Sequence, residues 1–410
     1  MATLGSYLEV LKNTNFTKLW ISQVASQLTN YLLSFAVLLK VFDLTKSSAS
    51  VGILVFAFGL ATMVFGALAG VYADRFDRKW LLTIINFLQA LAVALYIPFL
   101  NNFWGLVVVT FIYSSLNQFY LPAEAPSIPN LVDKKDLLVA NSYFSFTGSF
   151  ALIAGFAAAG PLVAWFGPRA PFLAGFALLI IATIATSLLP NLRMGLGQTR
   201  HLIKNIWGEF LVGIQHFWDN NKLHFPLLAL LSVQFINGTL ITIAPAFIEK
   251  SLGLDLDRGS FLAILPLGLG ILAGALLLGT EERRRSRVQL VTVGFYGMGV
   301  AVVLLSLVNN LPYKLFYYAI IAIGAGYFNS HIFAPSHSIL QTHAASDIRG
   351  RVYGSLYVLQ HAAATLPTII VGIIADVLPL SILIAVVGLL LIGLGILLKP
   401  FHRHLQESAT

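Results

Sequence analysis

The sequence predicts an all-α integral membrane protein with twelve transmembrane helices in two pseudo-symmetric six-helix bundles. Three observations carry this. First, 58% of the 410 residues are hydrophobic and only 10% are charged, whereas about a quarter of a soluble domain is charged. Second, apolar runs recur along the whole length, centred near residues 30, 61, 91, 112, 152, 180, 236, 269, 299, 324, 363 and 390. At about 20 residues, each is long enough to cross a ~30 Å hydrocarbon layer as a helix. Third, one segment returns in eroded form 208 positions later. Gly66-Ala67-Leu68 becomes Gly274-Ala275-Leu276, Asp74-Arg75 becomes Glu282-Arg283, Lys79 becomes Arg287, and Leu82 becomes Leu290. A hydrophobic unit of half the chain, duplicated, gives two halves related by an axis along the membrane normal.

The N-terminal bundle covers residues 1–190. No cleavable leader pattern precedes the first span, so that span is expected to remain as a helix. In it Gln23, Ser26, Gln27, Asn30 and Ser34 fall within an arc of about 100°, and a polar stripe on a membrane helix faces protein or water. Between the second and third spans lies Gly70-Val71-Tyr72-Ala73-Asp74-Arg75-Phe76-Asp77-Arg78-Lys79. Charge that dense cannot lie in hydrocarbon, so the segment is a tight loop at one membrane face. Its acids and bases are placed to pair with each other, with helix ends or with neighbouring helices. The fourth span carries Tyr113, Ser114, Ser115, Asn117, Gln118 and Tyr120 without one clean polar face. It ends on Glu124, an acidic side chain inside a span, between Pro122 and Pro126, which remove helix hydrogen bonds. Glu124 reads as a proton site, as an inner gate, or as the permanent partner of a loop base such as Arg78. Gly148, Gly155, Gly160 and Pro161 mark the fifth span.

A linker over residues 191–222 follows. Within it His201 to Phe210 alternates apolar and polar at helical spacing, which predicts a surface helix with Trp207 and Trp218 at the headgroups. The C-terminal bundle covers residues 223–410. Its seventh span offers Gln234 and Asn237, and its charged loop offers Glu282, Arg283 and Arg287. The tenth span sets Asn329, Ser330, Ser336 and His337 on one side. Pro335-Ser336-His337 stands against Pro122-Ala123-Glu124, so each half places a titratable group two residues after a helix-bending proline. In the eleventh span Tyr353, Tyr357, Gln360, His361 and Thr368 form another polar arc. His337 and His361 join Glu124 as candidates for a proton site or gate.

The net charge of +8 needs no nucleic-acid partner. With the N-terminus cytoplasmic, 19 of the 25 Lys and Arg residues fall inside and 6 outside, as the positive-inside rule requires, and both termini are cytoplasmic. The chain has no cysteine, hence no disulfide or thiolate metal site. It has no G-x-x-x-x-G-K-S/T loop for a nucleotide, no nucleophile–base pair and no metal-spaced histidines. An enzyme or a resident cofactor is therefore not expected, and an ion gradient or the substrate's own gradient must supply the energy.

The Gly70–Lys79 pattern, G-x-x-A-D-R-x-D-R-K, resembles the loop joining the second and third helices of major facilitator superfamily transporters, which usually have Gly where Asp77 stands. Pro122 to Val132, followed by Asp136 to Ser142, resembles the equivalent stretch in the macrolide-efflux and enterobactin-exporter-like branch of drug–proton antiporters. The fifth span resembles the glycine-proline antiporter motif, with Leu162-Val163-Ala164 in place of its closing Gly-Gly. The resemblance implies a monomeric, alternating-access transporter of the inner membrane. It implies that Gly70, Asp74, Arg75, Arg78 and Lys79 hold the halves together on the cytoplasmic side in the outward-facing state. It also implies that spans one, four, seven and ten line the path, which selects Gln23, Gln27, Asn30, Ser34, Tyr113, Asn117, Gln234, Asn237 and Asn329; Tyr357 and Gln360 join them from the eleventh. The expected cargo is a hydrophobic or amphipathic small molecule, drug-like or macrolide-like, moved outward with protons as the candidate coupling ion. Lipid, lysolipid or siderophore transport, uncoupled facilitation and, more remotely, a non-transporting sensor stay open. Asn30 stands where many such antiporters carry an acid, and Ser114 and Ser115 where other branches carry a base. A neutral, zwitterionic or anionic amphiphile is therefore expected over a strongly cationic one.

Overall fold

The computed structural model describes residues 9–192, 206–344 and 349–398. All its described regular elements are helical. The first half contains α1 (Thr14–Thr45), α2 (Ser48–Arg75), α3 (Arg78–Phe99), α4 (Phe103–Asn117), α5 (Tyr120–Glu124), α6 (Leu137–Phe166) and α7 (Ala170–Ser187). The second contains α8 (Ile206–Asp219), α9 (Asn221–Ala246), α10 (Leu256–Glu281), α11 (Arg287–Leu307), α12 (Lys314–His343), α13 (Arg349–Thr365), α14 (Thr368–Val377) and α15 (Leu380–Leu397). Eleven described helical segments are long and apolar enough to cross a membrane. The tenth span of the sequence reading, α12, is long enough at 30 residues, but Tyr327, Asn329, Ser330, His331, Ser336 and His337 interrupt its apolar surface. Large apolar side chains such as Trp165, Leu276 and Val377 lie more than three-quarters exposed, an arrangement suited to hydrocarbon and not to water.

The chain divides into two compact units. The first holds α1, α2 from Leu60 onward, and α3–α7; the second holds Lys46–Gly59, the head of α2, together with α8–α15. From the sequence, residues 46–59 belong with the first bundle, within residues 1–190. The reason for the difference is local. The Asp376 carboxylate in α14 accepts the amides of Ser48 at 2.6 Å and Ala49 at 3.1 Å, and the Ser47 hydroxyl at 2.5 Å. A carboxylate there satisfies orphan amides of the helix and faces its positive end. Thr368 Oγ1 donates to Gly52 O at 3.0 Å, and Lys46 meets Glu249 at 3.1 Å.

The helix order repeats between the units. In the first, α1 packs on α6 and α3 on both α4 and α7; in the second, α9 packs on α13 and α11 on both α12 and α15. Both charged loops end in a helix cap. Asp77 accepts the Lys79 amide to start α3, and Ser286 forms a capping box with Gln289 to start α11. The core of the first unit gathers Phe16, Leu19, Leu82, Ile85, Tyr120, Ile128 and Phe144. That of the second gathers Phe217, Leu223, Leu230, Leu340, Val352 and Leu356. The linker helix, α8, begins at Ile206; residues 201–205 of the expected surface helix lie outside the described residues. α8 packs on α13, where Ser355 Oγ donates to Phe210 O at 2.9 Å, and its Trp218 is exposed.

Candidate functional site

The first charged loop is short because α2 runs to Arg75 and α3 resumes at Arg78. Gly70, Asp74 and Arg75 lie in the last turns of α2, and their side chains are outside the described residues. Arg78 is only 2% exposed, and its Nη1 donates to Pro126 O at 2.9 Å. Asp77 Oδ1 accepts both the Lys79 amide at 3.0 Å and the Leu192 amide at 3.2 Å, tying the start of α3 to the segment after α7. The Lys79 ammonium sits 5.5 Å from the Trp80 ring. In the second loop Arg287 pairs with Glu282 at 3.5 Å, both side chains being exposed, a pairing worth little in water. Arg283 has no hydrogen bond or ion pair among the described residues that would join it to that pair.

Glu124 is 1% exposed. It does not form the pair with Arg78 that one sequence reading expected, because the Arg78 guanidinium is turned to the Pro126 carbonyl. The Glu124 carboxyl lies instead against the Tyr120 hydroxyl, one turn back. From there a buried polar chain runs across three helices. The Tyr120 hydroxyl meets Ser22 Oγ at 3.0 Å, Asn86 Nδ2 donates to Ser22 Oγ at 3.1 Å, and Ser26 Oγ donates to Asn86 Oδ1 at 2.9 Å. The backbone around Glu124 is loosened as its prolines require: α5 is five residues long and gives way to a 3-10 turn, Ala125–Asn130. Pro335 has no such effect, since α12 continues through it to His343. The proposed parallel between the two proline sites therefore fails at the backbone.

The expected cavity residues divide. Gln23 is buried, and its Nε2 donates to Phe144 O at 3.1 Å, joining α1 to α6. Tyr113 is 2% exposed, inside the unit. Asn117 accepts from Gln89 Nε2 at 3.1 Å. Gln27, Asn30 and Ser34 remain half-buried, with Ser34 Oγ bonded back to Asn30 O. In the second unit the residues come together. Asn329 Nδ2 donates to Asn237 Oδ1 at 3.1 Å, and Asn237 Nδ2 to Gln234 Oε1 at 3.3 Å. Gln360 Nε2 lies 3.4 Å from His337 Nε2. The His337 ring is 4.6 Å from Phe333, and the His361 ring is 4.5 Å from the exposed Tyr357. Amide and imidazole groups thus stand among aromatic faces.

One cluster escaped the sequence reading. At the end of α10 the Glu281 carboxylate accepts the Tyr327 hydroxyl of α12 and meets His331 Nε2 at 3.1 Å. His331 is fully buried, and its Nδ1 lies 2.9 Å from Tyr327 O. A cleft of about 480 Å³, lined by Glu281, Arg284, Arg285, Val293, Tyr327, Phe328 and His331, leads to it. The available signal was Tyr327 and His331 four apart on one helical face. The repeat points elsewhere, since its copy of the Asp74-Arg75 pair begins at Glu282, one residue after Glu281.

Known proteins resemble this chain over most of its length. The family model of the Major Facilitator Superfamily matches residues 19–368. YfiS of Bacillus subtilis, an MFS-type transporter by name, is 26% identical over 392 residues, covering 94% of this chain and 93% of its own length. Macrolide efflux protein A of Streptococcus pyogenes is 25% identical over 314 residues, covering 73% of this chain and 75% of its own. Among solved structures, a mutant of the nucleoside transporter NupG superposes with a TM-score of 0.76 at 15% identity over 95% of this chain and 99% of that one. A helical membrane fold with a duplicated helix order, a charged loop repeated at its half-way copy and a family match from the first span to the eleventh lead to one assignment: this chain is a transporter-type membrane protein of the major facilitator superfamily.

Proposed function

We propose that the chain is a secondary active transporter that works by alternating access and exports hydrophobic or amphipathic small molecules, with protons as the coupling ion. The observation that carries the reading is a set of polar but uncharged amide side chains on its membrane helices. Gln27 and Asn30 in the first unit, and Gln234, Asn237 and Asn329 in the second, offer amides that accept or donate. Phe333, Tyr353 and Tyr357 add aromatic faces for an apolar body. No acid stands among them to select a cation, so a neutral, zwitterionic or anionic amphiphile fits best. The resemblance to a macrolide efflux protein supports outward transport of a bulky, largely apolar molecule. With α12 counted as the twelfth crossing, both termini lie on the cytoplasmic side of the inner membrane.

The test is transport by the full chain in proteoliposomes, with and without an imposed pH gradient, across neutral, anionic and cationic fluorescent amphiphiles. Movement of the neutral or anionic probes, stimulated by the gradient, is expected. Asn329→Leu removes one amide from the Gln234–Asn237–Asn329 set and is expected to raise KM more than it lowers kcat. Transport confined to cations overturns the substrate reading, and transport indifferent to pH overturns proton coupling.

A further inference from the structure

We propose that Glu281, Tyr327 and His331 form the proton-binding site of the second unit, where one proton is taken up and released in each transport cycle. The inference rests on the transporter reading above and adds the residues that handle its ion.

The donors and acceptors of the cluster require this proton. A backbone carbonyl only accepts, so the 2.9 Å contact of His331 Nδ1 with Tyr327 O places a hydrogen on Nδ1. In a neutral ring the other nitrogen then carries a lone pair. That nitrogen, Nε2, lies 3.1 Å from Glu281 Oε2, and an ionised carboxylate oxygen is also only an acceptor. Two acceptors at that distance form a hydrogen bond only with a proton between them. The cluster is therefore either an imidazolium facing a carboxylate or a neutral imidazole facing a carboxylic acid. In both forms the Tyr327 hydroxyl donates to Oε1. The arrangement holds one proton more than a neutral histidine and an ionised glutamate, and the proton leaves from the shared Nε2–Oε2 position.

The surroundings give that proton a route and a consequence. From the loop after α10, Arg284 and Arg285 line the cleft beside Glu281 and are placed to hold the carboxylate once the proton has gone. From α11 only uncharged residues face the cluster: Val293 lines the cleft, and a Cβ on Gly294 would come within 3.1 Å of His331 Cβ. From α9, Asn237 meets Asn329 and brings no titratable group. Loss of the proton leaves a lone pair on the buried His331 ring against the carboxylate in a part-buried contact, an arrangement that costs free energy until the two part. α10 and α12 then separate at this end. Tyr327 and His331 share one face of α12, and Asn329 lies on the opposite face at 100° per residue. One rigid helix thus joins the proton cluster to the amide set assigned to substrate.

The test uses the absence of cysteine, which makes Val293→Cys the sole thiol of the full chain and a reporter inside the cleft. In proteoliposomes its labelling by a water-soluble maleimide, corrected for the thiolate fraction, is expected to speed up as pH rises. The rise reaches about tenfold per pH unit across the transition if one proton is released. Glu281→Gln keeps every hydrogen bond of the protonated form, since its amide donates to His331 Nε2 and its carbonyl accepts from Tyr327. In that background labelling is expected to be slow at every pH, with pH-driven transport lost and downhill exchange retained. In His331→Asn the labelling is expected to be fast and indifferent to pH. A flat profile in the Val293→Cys chain, or an unchanged profile in Glu281→Gln, overturns the proton site. An intact labelling profile with no transport of any probe instead overturns the transporter reading and keeps the proton site.

Discussion

Asp77 Oδ1 accepts two amides, those of Lys79 and Leu192, so a single carboxylate both starts α3 and fixes the chain leaving α7. Asp77→Ala is expected to cost about 1 kcal/mol for the lost cap and to free the Leu192 amide as well. Asp77→Asn keeps an acceptor and is expected to lose less. Thermal unfolding in detergent measures both, and equal Tm values for Asp77→Ala and the parent chain would refute the double role. The sequence marked Asp77 as a departure from the family pattern but not its use, because Leu192 lies 115 residues away in a stretch with no pattern of its own. Glu124 shows the same limit. Its burial was legible from Pro122, Pro126 and the apolar run around it. Its neighbours Tyr120, Ser22 and Asn86 were not, since helix packing brings them together.

The approach of α10 to α12 shows what an element needs in order to place a site. A Cβ on Gly326 would strike the backbone oxygen of Leu267, one on Gly270 that of Ile323, and one on Gly274 would lie 2.6 Å from Tyr327 O. Small residues let membrane helices approach this closely, and the approach puts Glu281 within reach of Tyr327 and His331. Gly326→Leu is expected to force the helices apart, abolish the pH dependence of Val293→Cys labelling and lower thermal stability by roughly 1–3 kcal/mol. A Gly326→Leu chain with the parent labelling profile would show that the approach does not position the cluster. Helix existence was the most legible level, because an apolar run of that length has one stable form in a bilayer. The polarity of α12 was legible too, but its faces were misjudged. The sequence sets Asn329, Ser330, Ser336 and His337 on one side, whereas the buried His331 falls on another face with Tyr327.

At the scale of the whole molecule, the repeat was readable from Gly66–Leu82 against Gly274–Leu290, and the matching helix order of the two units agrees with it. The place of residues 46–59 was not readable, because nothing local distinguishes the head of α2 from its tail. Its partners Thr368 and Asp376 lie 316 to 328 residues further on. That distance has a consequence for biogenesis. A ribosome delivers a chain from its N-terminus, so α2 is inserted long before α14 exists, and domains generally fold as they emerge. The amides of Ser48 and Ala49 must be held by interfacial water until Asp376 arrives, and the Thr368 hydroxyl then adds a further bond to the Gly52 carbonyl. Contacts of such long range form late, which makes the closing of this clasp one of the final steps of maturation. Asp376→Ala is expected to leave insertion and helix content unchanged while slowing the gain of protease resistance at the head of α2 in a pulse-chase experiment. An unchanged rate would mean that this stretch is secured earlier, by contacts other than those of Asp376.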